Sequence, residues 1–110
     1  MPLLRGTLDV LILKALSWGP VHGYGIARWI EQVTDDQVLV EEGSLYPTLH
    51  RLETRELVTG EWRLSATNRR VKTYTLTDRG RRQLRAETAQ WTVFSNAVSR
   101  ALQARRPALA

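Results

Sequence analysis

Residues 43–54 read Gly43-Ser44-Leu45-Tyr46-Pro47-Thr48-Leu49-His50-Arg51-Leu52-Glu53-Thr54, and the segment that follows changes its period from helical to extended. Ser44 can cap a helix here. Pro47 then falls at the third helical position, where its missing N–H is harmless because that donor has no partner in the first turn. At about 100° per residue, Leu45, Leu49 and Leu52 lie within roughly 60° of one another, with Pro47, His50, Arg51 and Thr54 on the opposite side and Tyr46 and Arg55 on the flanks. Two extended runs, Leu57–Leu64 and Val71–Thr75, flank a polar hexapeptide, Ser65-Ala66-Thr67-Asn68-Arg69-Arg70, which reads as a hairpin tip.

Outward from this segment, Thr7 is a candidate cap for a helix running to about Trp18, with Asp9 in its first turn and Gly19-Pro20 as the stop. Ile26, Ile30 and Val33, with Ala27 and Trp29 alongside, form the stripe of a second, short amphipathic helix starting near Gly23 and ending before Thr34-Asp35-Asp36. Thr77-Asp78 opens a fourth helix lasting to about Ala104, despite Gly80 in its first turns. The expected fold is mainly α with a small β-hairpin. It is a winged helix-turn-helix over residues 1–76, a long C-terminal dimerisation helix over 77–106 and a tail at 107–110.

The 110 residues, 43% of them hydrophobic, suit a single domain whose modest core would profit from burying more apolar area against a partner. No cysteine is present, which excludes a disulfide scaffold, a thiolate metal site and a cysteine nucleophile. No stretch reaches the ~20 apolar residues that span a bilayer, so no membrane insertion is expected and the default compartment is the cytoplasm. The net charge of +5 is unevenly spread: residues 1–42 carry three basic side chains against six acids, and residues 43–85 carry ten against four. Such local basicity suits a polyanion, although a run of Arg is also what a solvated helix face carries.

The third helix and the hairpin tip decide between those two uses. Arg51 could reach guanine with two hydrogen bonds, His50 and Thr54 could touch base edges, and Tyr46 could bond a phosphate from the first turn. Any two-layer domain also exposes a helix face bearing Arg and His. The hairpin tip shifts the balance, because Asn68, Arg69 and Arg70 with Lys72 just beyond put three cations on a protrusion where an ordinary turn carries one. That is the equipment for a minor groove or a phosphate backbone beside the groove occupied by the helix.

The segments His22-Gly23-Tyr24-Gly25-Ile26, Gly43-Ser44-Leu45-Tyr46-Pro47 through Arg51-Leu52-Glu53, and Arg69-Arg70 through Tyr74 to Leu76-Thr77 with Gly80 resemble the successive signatures of the PadR family of bacterial transcriptional regulators. The match runs over roughly residues 5–85, in order. The resemblance implies a homodimeric winged helix-turn-helix repressor bound to a dyad-symmetric operator in double-stranded DNA, with a dimerising last helix as in the short-tailed members. It carries DNA contacts onto Tyr24, Ser44, Tyr46 and Arg51 and onto the wing cations Arg69, Arg70 and Lys72. One departure is Arg55-Glu56-Leu57, where the family usually has Gly before Leu, which leaves the end of the third helix less sharply specified.

The last helix has its own logic. Its apolar set, Leu84, Trp91, Phe94, Val98 and Leu102, falls within an arc of about 80° on a helix too long for so small a globule to cover. The spacings approximate a heptad seam, and Leu8, Leu11 and Ile12 of the first helix could supply the facing surface of a second chain. In drug-binding proteins of the resembled family, a tryptophan at a corresponding place lines a cavity at the dimer interface and stacks on flat aromatic ligands. Trp91 is therefore a candidate for a small aromatic effector. A Trp on an apolar stripe is more often interface core.

His22 and His50 have no second ligand at metal-binding spacing, Glu41-Glu42 and Asp35-Asp36 point successive side chains apart, and no phosphate loop or nucleophile elbow is present. No metal, cofactor or enzymatic activity is expected. Two readings remain: a DNA-binding transcriptional regulator, which the residues favour, and a winged-helix protein-interaction module whose wing cations meet an acidic surface.

Overall fold

The computed structural model describes residues 2–106, so the tail assigned to 107–110 lies outside the described residues. Its elements run α1 (Pro2–Ala15), a single 3-10 turn (Leu16–Trp18), β1 (Val21–His22), α2 (Gly23–Val33), α3 (Glu42–Thr54), β2 (Val58–Leu64), β3 (Arg70–Leu76) and α4 (Asp78–Gln103). The expected order of three helices, a hairpin and a long helix is present. β1 adds a strand, making an antiparallel three-stranded sheet of order β1-β3-β2 with Val21 opposite Tyr74 and His22 opposite Thr73. Two residues are too few for an alternation to show in the sequence.

Helix α1 begins five residues before the expected cap at Thr7. Pro2 occupies the first helical position, where its fixed φ and absent N–H suit a helix start. Asp9 consequently sits in mid-helix rather than in the first turn, and it is buried. Asp9, Ile12, Leu13 and Leu16 recur at helical spacing and face inward. Gly19, at φ 145°, turns the chain where the Gly-Pro stop was expected.

On α2, Ile26, Ala27 and Ile30 enter the core, but Val33 is 54% exposed, because the apolar stripe overruns the core in the helix's last turn. Helix α3 starts at Glu42, two residues before Ser44, so Pro47 is the sixth helical residue rather than the third. Its missing N–H leaves the carbonyl of Gly43 without a helical partner, and the exposed position of Gly43 leaves that carbonyl to water. Leu45, Leu49 and Leu52 are fully buried, as their spacing predicts.

The end of α3 is sharper than its sequence suggests. Glu56 N–H donates to the Glu53 carbonyl (2.9 Å) and Leu57 N–H to the Leu52 carbonyl (3.0 Å), the paired bonds of a Schellman cap, with Glu56 in the left-handed region at φ 60°. A side chain in that conformation is strained by about 1 kcal/mol. The 3.5 Å contact of Glu56 with Arg79 offsets little of this, because both groups are mostly exposed. Glu56→Gly is therefore expected to stabilise the fold by about 1 kcal/mol, read as a higher denaturation midpoint at unchanged slope.

Leu57, Val58, Tyr74 and Leu76 close the core from the sheet side against α1, α2 and α3. Thr77 caps α4: its Oγ1 accepts from Gly80 N–H (2.9 Å) and its hydroxyl points at the Glu56 and Leu57 carbonyls (2.8 and 3.0 Å). These bonds hold the start of α4 against the end of α3. Leu84 packs on the core, the next turns of α4 run beside α1, and the molecule is 68 Å long against 28 and 22 Å across.

Candidate nucleic-acid interface

Helix α3 can approach the start of α2 closely because Gly23, the first residue of α2, has no side chain. A Cβ there would stand 2.9 Å from Cε1 of Tyr46, so the Tyr46 ring lies across the start of α2. With its inner face locked in the core, α3 exposes Ser44, Tyr46, Pro47, His50 and Thr54. Tyr24 is also exposed, and its ring stacks on that of His22 at 6.4 Å. Tyr24 lies in the first turn of α2 and the other exposed residues on α3.

Arg51 is placed differently from the expectation that put it squarely on the outer face. Its Nη2 donates to Asp9 Oδ1 at 2.8 Å, so the guanidinium folds onto α1 at the edge of α3. Burial of Asp9 in mid-helix is what draws it there, since a buried carboxylate needs a partner. Lys72 departs likewise from a free wing cation: its Nζ donates to Glu53 Oε1 at 2.9 Å and lies 5.5 Å from the Tyr74 ring centre. Two ion pairs thus brace α3, one to α1 and one to the wing.

The cations at the wing tip are Arg69 and Arg70, both exposed, with Asn68 in the left-handed region at φ 66° making the turn. Arg70 stacks over Trp62 at 4.9 Å, a cation–π contact that holds it along the sheet. Trp62 and Leu64, 57% and 68% exposed, were not among the expected site residues. The period-two run Val58, Gly60, Trp62, Leu64 was the available signal, because it continues the core-facing side of β2 past the core's edge.

The ammonium of Lys72, hydrogen-bonded to Glu53, is held above its ordinary 10.5, and burial pushes the Tyr74 phenol above its ordinary 10.0. Both groups keep in the folded chain a proton that the unfolded chain releases at lower pH. Their contribution is complete below the unfolded values and is lost as pH rises through the folded ones. Denaturation midpoints are expected to stay level up to about pH 9 and to fall above about pH 10, less steeply in Tyr74→Phe.

Helices α1 and α4 form a groove of about 280 Å³ lined by Gly6, Thr7, Val10, Glu87, Gln90, Trp91 and Phe94. Glu87 accepts from Gln83 Nε2 (3.0 Å) through Oε1, while its Oε2 is buried without a hydrogen-bond partner. Trp91, Phe94, Val98 and Leu102 are exposed along one face of α4. Of the α1 residues expected to face a second chain, Ile12 needs correcting. Ile12 is 0% exposed and belongs to the chain's own core, and Leu8, Leu11 and Leu84 are half-buried against it. The side of α1 that meets the groove is Gly6, Thr7 and Val10, because the Asp9–Ile12–Leu13–Leu16 stripe turns inward.

Three helices with a locked inner face on the third, a sheet ending in a cationic wing and an appended helix define a winged helix-turn-helix DNA-binding domain. The chain belongs to the PadR-like family of transcriptional regulators, whose family model matches residues 12–86, and whose members are DNA-binding regulators rather than enzymes. A PadR-like regulator of Bacillus cereus shares 30% identity and superposes with a TM-score of 0.79 over 96% of this chain and all of its own. A PadR-family regulator of Eggerthella lenta shares 35% identity, with a TM-score of 0.77 over 94% of this chain and 88% of its own. In sequence, 82% of this chain is 38% identical to an uncharacterized 37.1 kDa protein of a Streptomyces fradiae transposon, of whose length it spans 24%.

Proposed function

We propose that the chain is a homodimeric repressor acting in the cytoplasm on a dyad-symmetric operator in double-stranded DNA. Helix α3 of each protomer enters a major groove, and the wing tip lies in the adjacent minor groove or along its backbone. The observation that carries this reading is the pairing of an outer α3 face rich in hydrogen-bonding groups with a cationic tip on the neighbouring hairpin. Tyr24, Ser44, Tyr46, Pro47, His50 and Thr54 supply the first, Asn68, Arg69 and Arg70 the second, and Arg51 reads a base from the edge of α3. Selection of bound duplexes from a random pool is expected to enrich two inverted half-sites about one helical turn apart. No enrichment, with wild-type protein folded, overturns the reading.

The wing has a separable signature. Arg69→Ala or Arg70→Ala is expected to weaken all duplexes alike and to lower the slope of log affinity against log salt by about two for a dimer. Lys72→Ala is expected to lower it less, because Glu53 already holds that charge. An unchanged slope in both arginine variants removes the wing from the contact surface.

In the dimer, the α4 stripe of Trp91, Phe94, Val98 and Leu102 meets its symmetry mate and the groove side of α1. The groove beside Trp91 and Phe94 is then the place for a flat aromatic effector. Such a ligand relieves repression only by binding the DNA-incompetent dimer more tightly, and it lowers operator affinity by that same factor. Quenching of Trp91 fluorescence by planar dyes, absent in a Trp91→Phe control, reports its entry.

A further inference from the structure

Arg51 is the one cation on α3's outer half whose place is fixed by a second element. Its partner Asp9 lies 42 residues away in sequence, and the Asp9 side chain is only 10% exposed while that of Arg51 is 44% exposed. The arginine therefore spans from the interior to the surface beside His50 and Thr54. A guanidinium carries five N–H donors in a planar fork, and the bond to Asp9 uses one of them. The remaining hydrogen of Nη2 and both of Nη1 are sufficient for the paired bonds that guanine O6 and N7 accept. What the bond removes is freedom: an untethered arginine on a helix surface samples many rotamers and meets phosphates as readily as bases.

The geometry points to Asp9 as a specificity-determining positioning residue, which holds the Arg51 guanidinium at the α1–α3 edge so that it reads one base pair in each half-site rather than the nearby phosphates. This rests on the operator-binding reading given above. A single tether on a buried, rigid helix restricts the plane of the fork, and two-bond base recognition requires that plane to be set. Asp9 itself touches no DNA in this arrangement. Its effect passes entirely through Arg51.

The test measures affinity for a panel of operators changed one position at a time, at fixed salt, for wild type, Arg51→Ala, Asp9→Asn, Asp9→Leu and the double variant Asp9→Leu/Arg51→Ala. Asn keeps a neutral acceptor and Leu keeps the volume without one, so either variant that melts cooperatively carries the test. Arg51→Ala is expected to flatten base preference at one half-site position by about tenfold. Both Asp9 variants are expected to flatten that same position, Leu more than Asn, and to leave the other positions unchanged. The released arginine finds phosphate, so binding to random duplex tightens and the salt slope steepens by up to about two per dimer. The double variant is expected to be no flatter than Arg51→Ala alone. If Arg51→Ala flattens a position that the Asp9 variants preserve, Asp9 is a structural partner only, and the proposal is overturned while the operator reading stands. If Arg51→Ala flattens no position, Arg51 reads no base and the proposal fails, with selection at the other positions still supporting the operator reading. Absence of any preferred sequence for wild type defeats both.

Discussion

Val98→Asp is expected to leave monomer, or unfolded chain, in place of the proposed homodimer. Val98 lies at the centre of the α4 stripe, between Phe94 and Leu102, and all three are exposed in the single chain. In a two-fold seam the same residue appears on both helices, so one substitution introduces two charges. Burying even an uncompensated polar group costs roughly 2 to 7 kcal/mol, and a charge costs more. Counted on both protomers, the lower figure already shifts the dimer constant by about a thousandfold. Sedimentation velocity across a range of concentrations reads the result directly. A folded dimer that persists would place the interface on another surface, and the groove between α1 and α4 would then open to solvent.

Gly80→Ala is expected to be a strongly damaging small substitution where α4 joins the three-helix core. Helix propensity alone favours Ala over Gly by about 1 kcal/mol. Packing opposes it, because a Cβ on Gly80 would run into the backbone carbonyl oxygen of Leu57 and would also stand 2.7 Å from Cδ1 of Leu76. A backbone atom has no rotamer to escape into. Relief requires α4 to lift from the end of α3, which breaks the Thr77 cap and the Thr77 hydroxyl bonds to the Glu56 and Leu57 carbonyls. Overpacking of this kind costs about 3 kcal/mol, which lowers the melting temperature by roughly 10 to 20 °C in a domain of this size. Gly43→Ala is the matched control. No atom lies within 4 Å of a Cβ at that exposed helical position, so it is expected to raise the melting temperature slightly.

The elements most legible in the sequence are those written in local period. Leu45, Leu49 and Leu52 recur at helical spacing and are buried; the change to period two after Leu57 marks the hairpin; Thr77 caps α4 as its place before Asp78 indicates. The α4 stripe was legible for the same reason, since Trp91, Phe94, Val98 and Leu102 share one face whatever that face meets. Helix starts were read less well. Thr7 and Ser44 are good caps, yet α1 and α3 begin at Pro2 and Glu42, because a cap is only one of several ways to satisfy a first turn. Glu56 shows the converse: its sequence lacks the expected glycine, but packing of Leu57 into the core supports the left-handed turn regardless.

Sequence by itself determined the architecture, which follows from spacings of three, four or two residues along a continuous element, while its ordered motifs carry the family resemblance and its basic groups the expected contacts. Only the tertiary structure decided which of those groups are already engaged. Asp9 reads as a first-turn acid and is the buried anchor of Arg51; Lys72 reads as a wing cation and is bound to Glu53; Ile12 reads as a surface for a second chain and is core. β1 exists only because β3 offers it an edge. Each of these depends on the approach of segments distant along the chain, 42 residues for Asp9 and Arg51 and 19 for Glu53 and Lys72. Helical and strand periods do not encode such distances. They are set when the apolar faces of α1, α2 and α3 close on one another, and the charges at the margins of those faces then take the nearest opposite partner.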